Sequence, residues 1–132
     1  MAKVKSVHND VLDAALNFLK TYATQISICT GAGDVAPANY TEAVTTNMLA
    51  IKSNVAGTDL IVADDAASPY GRKLTVAQFA AIEVLTTGTA EYVCLCGAAA
   101  NLWYVTTCTS QVLTDGNTVT IPSWKITIGD PT

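Results

Sequence analysis

The segment TAEYVCLCGAAANLWYVTTCTS, residues 89–110, decides the fold because it contains two strand-like runs joined by a short loop of small residues. The runs 89–96 and 102–110 are rich in β-branched and aromatic side chains, which fit a pleated, half-buried surface. The five residues 97–101 separate them, and loops of this length commonly connect antiparallel strands. The sequence therefore predicts a β-hairpin over residues 89–110.

Strand-like segments also flank this hairpin on both sides. Alternating apolar residues predict further strands at residues 24–30, 59–63, 73–86 (bent near Ala80 and Ala81) and 118–128. Turn-forming residues predict a tight hairpin turn at 87–88 and another turn at 114–117. Pro122 predicts that the last strand lies at a sheet edge or carries a bulge. The C-terminal 60 residues are therefore expected to form a β-meander.

The segments between these strands are less regular. Residues 31–39 contain two Gly and one Pro, which predicts a surface loop. Residues 40–50 fit a short helix at their start and a strand at their end. Residues 64–71 are rich in turn-forming side chains, which predicts a connection between strands.

One amphipathic helix is predicted over residues 7–22. Its apolar residues recur at spacings of three and four and form one stripe: Val7, Val11, Ala14, Ala15, Phe18, Leu19 and Tyr22. Ser6 or Asn9 is the expected N-cap. Because the stripe is apolar, it requires a partner, which is either the sheet of the same domain or a neighbouring subunit.

The predicted fold class is mainly β with a minor α contribution. It consists of an N-terminal amphipathic helix followed by an antiparallel β-sandwich or small barrel that ends in the C-terminal meander. The 132 residues predict a single domain, 1–132, with an arm and helix at 1–23 and a β-domain at 24–132. No apolar run reaches the roughly 18–20 residues of a membrane span, and no apolar segment follows the basic start as in a secretory signal.

Composition allows a surface for protein contacts, although by itself it favours a simple β-rich domain whose exposed strand faces carry Thr. The chain contains 19 Thr and 20 Ala, only 14% of its residues are charged, and its formal net charge is −4. Burying Thr costs less than burying Lys or Glu, so a Thr-rich surface suits lateral protein contacts. The seven scattered basic residues form no basic stripe, which argues against direct nucleic-acid binding.

Residues that commonly carry catalysis are scarce. The chain has one His, His8, three Glu and one Arg, so an enzyme is the last of the functions considered. His8 is expected to be exposed, and the acidic residues Asp59, Asp64 and Asp65 to form a solvated turn rather than a cation site. Gly31 and Gly33 lack the third glycine of a dinucleotide-binding loop. We therefore predict no catalytic, cofactor-binding or metal-ligating residues, and no cofactor.

The four cysteines are predicted to be reduced, structural thiols. Cys94 and Cys96 lie two residues apart on one face of a strand, and Cys29 is expected on a distant strand. The hairpin register places Cys96 opposite Leu102, Cys94 opposite Tyr104, and Cys108 near Ala90. The Cys-x-Cys spacing is unusual for zinc, and cysteine often packs as a small apolar side chain.

Three aromatic residues on the strands, Trp103, Tyr104 and Trp124, allow two interpretations. They could form a stacking platform for sugar or single-stranded nucleic acid. The low pI of about 4.6 and the lack of neighbouring Arg favour a role in the sheet core or in an interface.

The chain resembles a family of small structural proteins of tailed bacteriophages. The resemblance is carried by residues 68–75 (SPYGRKLT), 87–93 (TGTAEYV), 102–111 (LWYVTTCTSQ), 114–126, and an N-terminal part comprising 11–22 and 26–29. It implies a head decoration (cement) protein, made in the host cytoplasm, that binds the outside of the major capsid lattice as a homo-oligomer. The alternatives are a tail, neck or head-fibre component, a carbohydrate-binding β-sandwich that uses Trp103 or Trp124, and, last, an enzyme.

Overall fold

The computed structural model describes residues 7–31, 35–66 and 70–129, which form three antiparallel sheets and an N-terminal helix. The elements are α1 (Asn9–Tyr22), β1 (Gln25–Cys29), a π-helix (Glu42–Thr46), β2 (Met48–Lys52), a 3₁₀ turn (Gly57–Asp59), β3 (Leu60–Asp64), β4 (Arg72–Val76), β5 (Phe79–Glu83), β6 (Gly88–Gly97), β7 (Asn101–Leu113), β8 (Thr118–Ile121) and β9 (Trp124–Ile128). The strand orders are β2-β1-β6-β7, β3-β4-β9 and β5-β8. The mainly β class with an N-terminal helix is confirmed. The barrel alternative is wrong, because the described sheets are open.

The described elements belong to two compact units that interleave along the chain. The first unit contains α1, except for its last residue Tyr22, and the β3-β4-β9 sheet. The second unit contains the other two sheets and the π-helix. The prediction of one domain stays a prediction.

In the first unit, His8 caps the helix. Its Nδ1 accepts a hydrogen bond from the Asp10 backbone N–H at 3.2 Å, and its carbonyl accepts one from the Val11 N–H at 3.0 Å. A cap satisfies backbone donors that have no partner within the helix. Asn9 is not the cap, and Ser6 lies outside the described residues. The His8 side chain is 76% exposed, as predicted.

The helix buries a different face from the predicted one. Leu12 and Leu16 are buried, whereas Val11 is 66% and Phe18 42% exposed. Asp13, next to the buried face, accepts hydrogen bonds from Nε and Nη2 of Arg72 on β4, at 2.7 and 3.1 Å. A two-pronged Arg–carboxylate pair fixes orientation, so this pair favours the rotation that turns Leu16 inward. Sequence periodicity predicts that the helix forms. It does not predict which face is buried, because Arg72 lies 59 residues from Asp13 in the chain.

In the second unit, β1 lies between β2 and β6 and is covered on both faces. Ile26 and Ile28 point to one face and Ser27 and Cys29 to the other, and all four are buried. The π-helix contributes Ala43 to the core on the Cys29 face. Because β1 is covered on both faces, the polar Ser27 is buried together with its apolar neighbours, although the sequence of the strand alternates.

The predicted meander is wrong, because β8 pairs with β5 and β9 with β4. The stretch 73–86 is two strands in different sheets, so residues 87–88 do not join a hairpin. The bend near Ala81 is confirmed: its φ is +56°, and the β5 register shifts between Phe79 and Ile82. The predicted last strand, residues 118–128, is two strands. Pro122, which lacks a backbone donor, directly follows β8, and the chain continues as β9 of the β3-β4-β9 sheet.

The loop-side end of the β6–β7 hairpin depends on a glycine. A Cβ on Gly97 would lie 2.6 Å from Nε1 of Trp103 and 3.0 Å from the carbonyl oxygen of Tyr22. We expect Gly97→Ala to lower the free energy of unfolding by about 1–3 kcal/mol, because an overpacked site must shift its neighbours. Urea denaturation measures this loss.

Gly57→Ala is the matched control, because a Cβ there meets nothing within 4 Å. Its unfolding free energy should stay within about 1 kcal/mol of wild type. Equal losses in the two variants would show that the Trp103 contact is not the cause.

Candidate interaction surface

The strand β7 forms one margin of the four-stranded sheet. It is 13 residues long and contains no charged residue and no proline. Among the described strands it pairs only with β6. Proteins usually protect such margins with Lys, Pro or short strands, because the outer backbone groups of an edge pair readily with another chain. We call this margin, residues 101–113, the β7 edge.

Several side chains of the β7 edge are solvent-exposed. The exposed ones are Thr107, Thr109, Ser110, Gln111 and Val112, and Val112 is 71% exposed. They are small, polar or apolar, and none is ionised. A partner strand would therefore desolvate no charge on this edge.

Two bulges shape the β7 edge. Cys96 lies opposite Leu102, as predicted, but Cys94 lies opposite Val105 rather than Tyr104. Gln111, not Cys108, lies opposite Ala90. The register shifts at Leu95/Cys96 and again at Ala90/Tyr92, and each shift adds residues to β7. Bulges turn side chains away from regular alternation, and simple alternation cannot predict where they fall.

A cavity of about 240 Å³ lies between the second bulge and β8. Cys108 and Thr109 both line it, although neighbouring residues of a regular strand point to opposite faces. Ile28 and Val93 also contribute to the lining, and Ile121 does so from β8. Among the described residues that line it, none is charged. We call this cavity the β7–β8 groove. No local sequence pattern predicts it, because its walls come from four separate strands.

On the opposite face of the sheet, three cysteines lie close together. Cys94 and Cys96 share a face, as predicted, but Cys29 is not distant: its sulfur lies 3.9 Å from that of Cys94. The Cys29 thiol donates to the Ala43 carbonyl at 3.2 Å, and the Ser27 hydroxyl lies 3.6 Å from the same sulfur. All three thiols are buried and free, which confirms their structural role in the core.

Their protonation follows from these contacts. The hydrogen bond from Cys94 to Cys29 raises the pKa of the Cys94 thiol, and burial raises it further. Burial raises the pKa of Cys96 to about 11. Both thiols therefore stay protonated at neutral pH and pack as small apolar groups.

Cys108, in the β7–β8 groove, provides a testable pH dependence. Burial, with a smaller contribution from Glu91, raises the pKa of its thiol above the ordinary value of 9.0. Only the thiolate reacts with alkylating reagents. We therefore expect the rate of Cys108 alkylation by iodoacetamide to keep rising above pH 9, measured by peptide mass spectrometry. A rate that levels off below pH 9, relative to a free-cysteine peptide, would contradict the raised pKa.

The three aspartates do not form one site. Asp59 accepts a hydrogen bond from the Ala56 N–H at 2.9 Å, and Asp64 accepts one from Arg72 at 2.6 Å. Asp65 has a side chain that is 1% exposed, and both its oxygens accept from Nζ of Lys125 at 3.0 Å. The prediction of a solvated turn is therefore wrong for Asp65, which is buried and paired. The local sequence pattern does not indicate this pair, because Lys125 lies 60 residues away.

The glycine and tryptophan candidates have packing roles. A Cβ on Gly31 would lie 2.8 Å from the Tyr92 ring, while Gly33 lies outside the described residues. The ring of Trp103 packs at a 49° tilt against that of Tyr22, with centroids 6.4 Å apart. Trp124 is half-buried on β9, opposite Val76. Neither indole lines the β7–β8 groove.

Within residues 7–31, 35–66 and 70–129, no cluster of three His, Cys, Asp or Glu side chains is arranged to hold a metal ion. Over the same ranges, no helix has the length and apolar character needed to cross a bilayer. Comparison of the chain with protein-family models, curated proteins and solved structures gives no match.

Proposed function

We propose that the protein is a non-enzymatic structural component of a phage virion, a capsid decoration protein that binds the outer surface of the major capsid lattice and stabilises the head. The observation that carries this proposal is the β7 edge, a 13-residue uncharged strand at the margin of a sheet. Such edges join other chains through main-chain hydrogen bonds. The resemblance to small virion proteins supports the phage setting.

The physical task of such a protein is adhesion in many copies. A modest contact becomes effective when linked copies bind neighbouring sites of one lattice. We propose a homo-oligomer, because α1 exposes the apolar side chains of Val11 and Phe18, which a neighbouring copy would cover. The proposed partner is the major capsid protein, without nucleic acid, membrane or cofactor.

For the second unit we propose the finer architecture of a sandwich. Ile28 and Val93 on the four-stranded sheet line the same groove as Val119 and Ile121 on β8. This shared lining supports the view that the β5-β8 pair lies over that face, with the groove at the margin of the contact.

Two alternatives differ from this proposal, one in the partner and the other in the residues that bind. A tail, neck or head-fibre component would use the same β7 edge, so only the partner differs. A carbohydrate-binding sandwich requires an exposed indole in a groove. The packing of Trp103 against Tyr22 favours a structural role for that ring instead.

The test is the solution mass by light scattering, followed by sedimentation of the same preparation with tailless capsid shells. We expect a stable oligomer that co-sediments with shells at a saturable, fixed stoichiometry. Protein that stays in the supernatant at every concentration would overturn the capsid role. Binding to purified tails but not to shells would favour the tail alternative.

A further inference from the structure

We propose that the β7–β8 groove receives an apolar side chain from an extended, uncharged segment of the shell protein that adds as a strand along the β7 edge. This inference rests on the proposed function, because it states how the docking edge recognises the shell. Strand addition commonly works in this way: main-chain hydrogen bonds supply affinity, and pockets for alternate side chains supply specificity.

The position of the groove supports this mode of binding. One wall is the C-terminal half of β7 itself, where Cys108, Thr109 and Gln111 line the cavity. A strand added along the β7 edge would run beside this wall. The bulge turns Cys108 and Thr109 toward the same cavity, and bulges often occur where a side chain is redirected for a function.

The size of the groove favours a side chain as its occupant. Its volume of about 240 Å³ lies below the roughly 300–1,000 Å³ of pockets that hold drug-sized ligands. An apolar cavity of roughly 150 Å³ already accommodates benzene. The groove is therefore large enough for one aliphatic or aromatic side chain and small for a cofactor.

The chemistry of the lining defines the occupant further. Ile28, Val93 and Ile121 are buried, whereas Gln111 and Thr120 are exposed. The groove thus combines an apolar interior with uncharged polar groups that reach solvent. An ionised side chain would lose its hydration there without a counter-charge, so the inserted side chain and its neighbours are expected to be neutral.

The experiment compares two tryptophan variants in shell sedimentation. Thr120→Trp adds a ring where an exposed residue lines the groove, and we expect shell affinity to fall at least 10-fold. Thr118→Trp is the matched control, because Thr118 is also exposed on β8 but does not line the groove; it should bind like wild type. Ala90→Leu fills the groove from β6 and should reproduce the loss. Circular dichroism checks that each variant is folded.

Cys108 supplies an independent readout. Its thiol lines the groove, so an inserted side chain should slow its alkylation by iodoacetamide at least 5-fold in shell-bound protein. Free protein treated with 1-hexanol is measured in parallel, because this alcohol tests occupation by a small apolar molecule.

The outcomes separate the two proposals. One outcome overturns the groove inference while the proposed function stands. In it the wild type binds shells, both tryptophan variants bind them with wild-type affinity, and Cys108 in shell-bound protein is alkylated as fast as in free protein. If the wild type itself ignores shells, the function fails, and the groove inference fails with it. Protection of Cys108 by 1-hexanol but not by shells would overturn the side-chain occupant in favour of a small ligand.

Discussion

Placing two lysines on the β7 edge should reduce capsid binding by about 30-fold or more. Thr107 and Ser110 are exposed on this edge, which carries no charge of its own. A strand that pairs there would enclose the new ammonium groups without a partner. An unpaired buried charge in an interface costs about 2–5 kcal/mol, and 2 kcal/mol corresponds to roughly 30-fold in Kd. Shell sedimentation of Thr107→Lys/Ser110→Lys measures the effect.

The control carries the same change in net charge at a different place. Thr86 and Thr114 are exposed and lie outside β7, so Thr86→Lys/Thr114→Lys should bind shells with nearly wild-type affinity. If both double variants lose binding equally, net charge rather than the edge is responsible. If neither loses binding, the docking surface lies elsewhere, and the exposed stripe of α1 becomes the next surface to substitute.

The contrast between predicted and observed strands shows what local sequence contains. The hairpin of β6 and β7 was predictable, because alternation indicates both strands and the short loop between them indicates that they pair. The strand β1 was predictable from alternation alone. The partners of β8 and β9 were not predictable, because alternation shows that a strand exists but not which distant strand completes its hydrogen bonds. Loop closure costs little more for a distant partner than for a near one, so buried area decides the pairing.

The same reasoning applies to the candidate surface. The absence of charge and proline from residues 101–113 is visible in the sequence. It leaves the backbone of this strand unprotected against pairing with another chain. Its position at the margin is not visible, because it depends on β6 pairing with β1 on its other side. The β7–β8 groove is further removed, since a bulge and four strands must come together to form it. Cys29 and Cys94 likewise meet only because Ser27 pairs with Cys94.

Replacing Lys125 by methionine should destabilise the fold by about 3 kcal/mol. The side chain of Asp65 is 1% exposed, and both its carboxylate oxygens accept from the Lys125 ammonium group at 3.0 Å. The variant takes the ammonium group, and both of its hydrogen bonds, away from a buried carboxylate, and removing one partner of a buried pair costs about 3–5 kcal/mol. The lower end applies here, because the Lys125 side chain is 42% exposed and water already screens the pair. Urea denaturation of Lys125→Met at pH 7 measures the loss.

Two further variants identify the cause of that loss. Lys52→Met removes an exposed lysine at the end of β2 and should change the unfolding free energy by no more than about 0.5 kcal/mol. Asp65→Asn/Lys125→Met removes both charges and should recover at least half of the lost stability, because the penalty comes from keeping a buried carboxylate charged after it has lost the Lys125 ammonium group. A double variant as unstable as Lys125→Met would instead assign the loss to the packing of the Lys125 methylene chain. The stability of the β3-β4-β9 sheet would then depend on contact area rather than on charge.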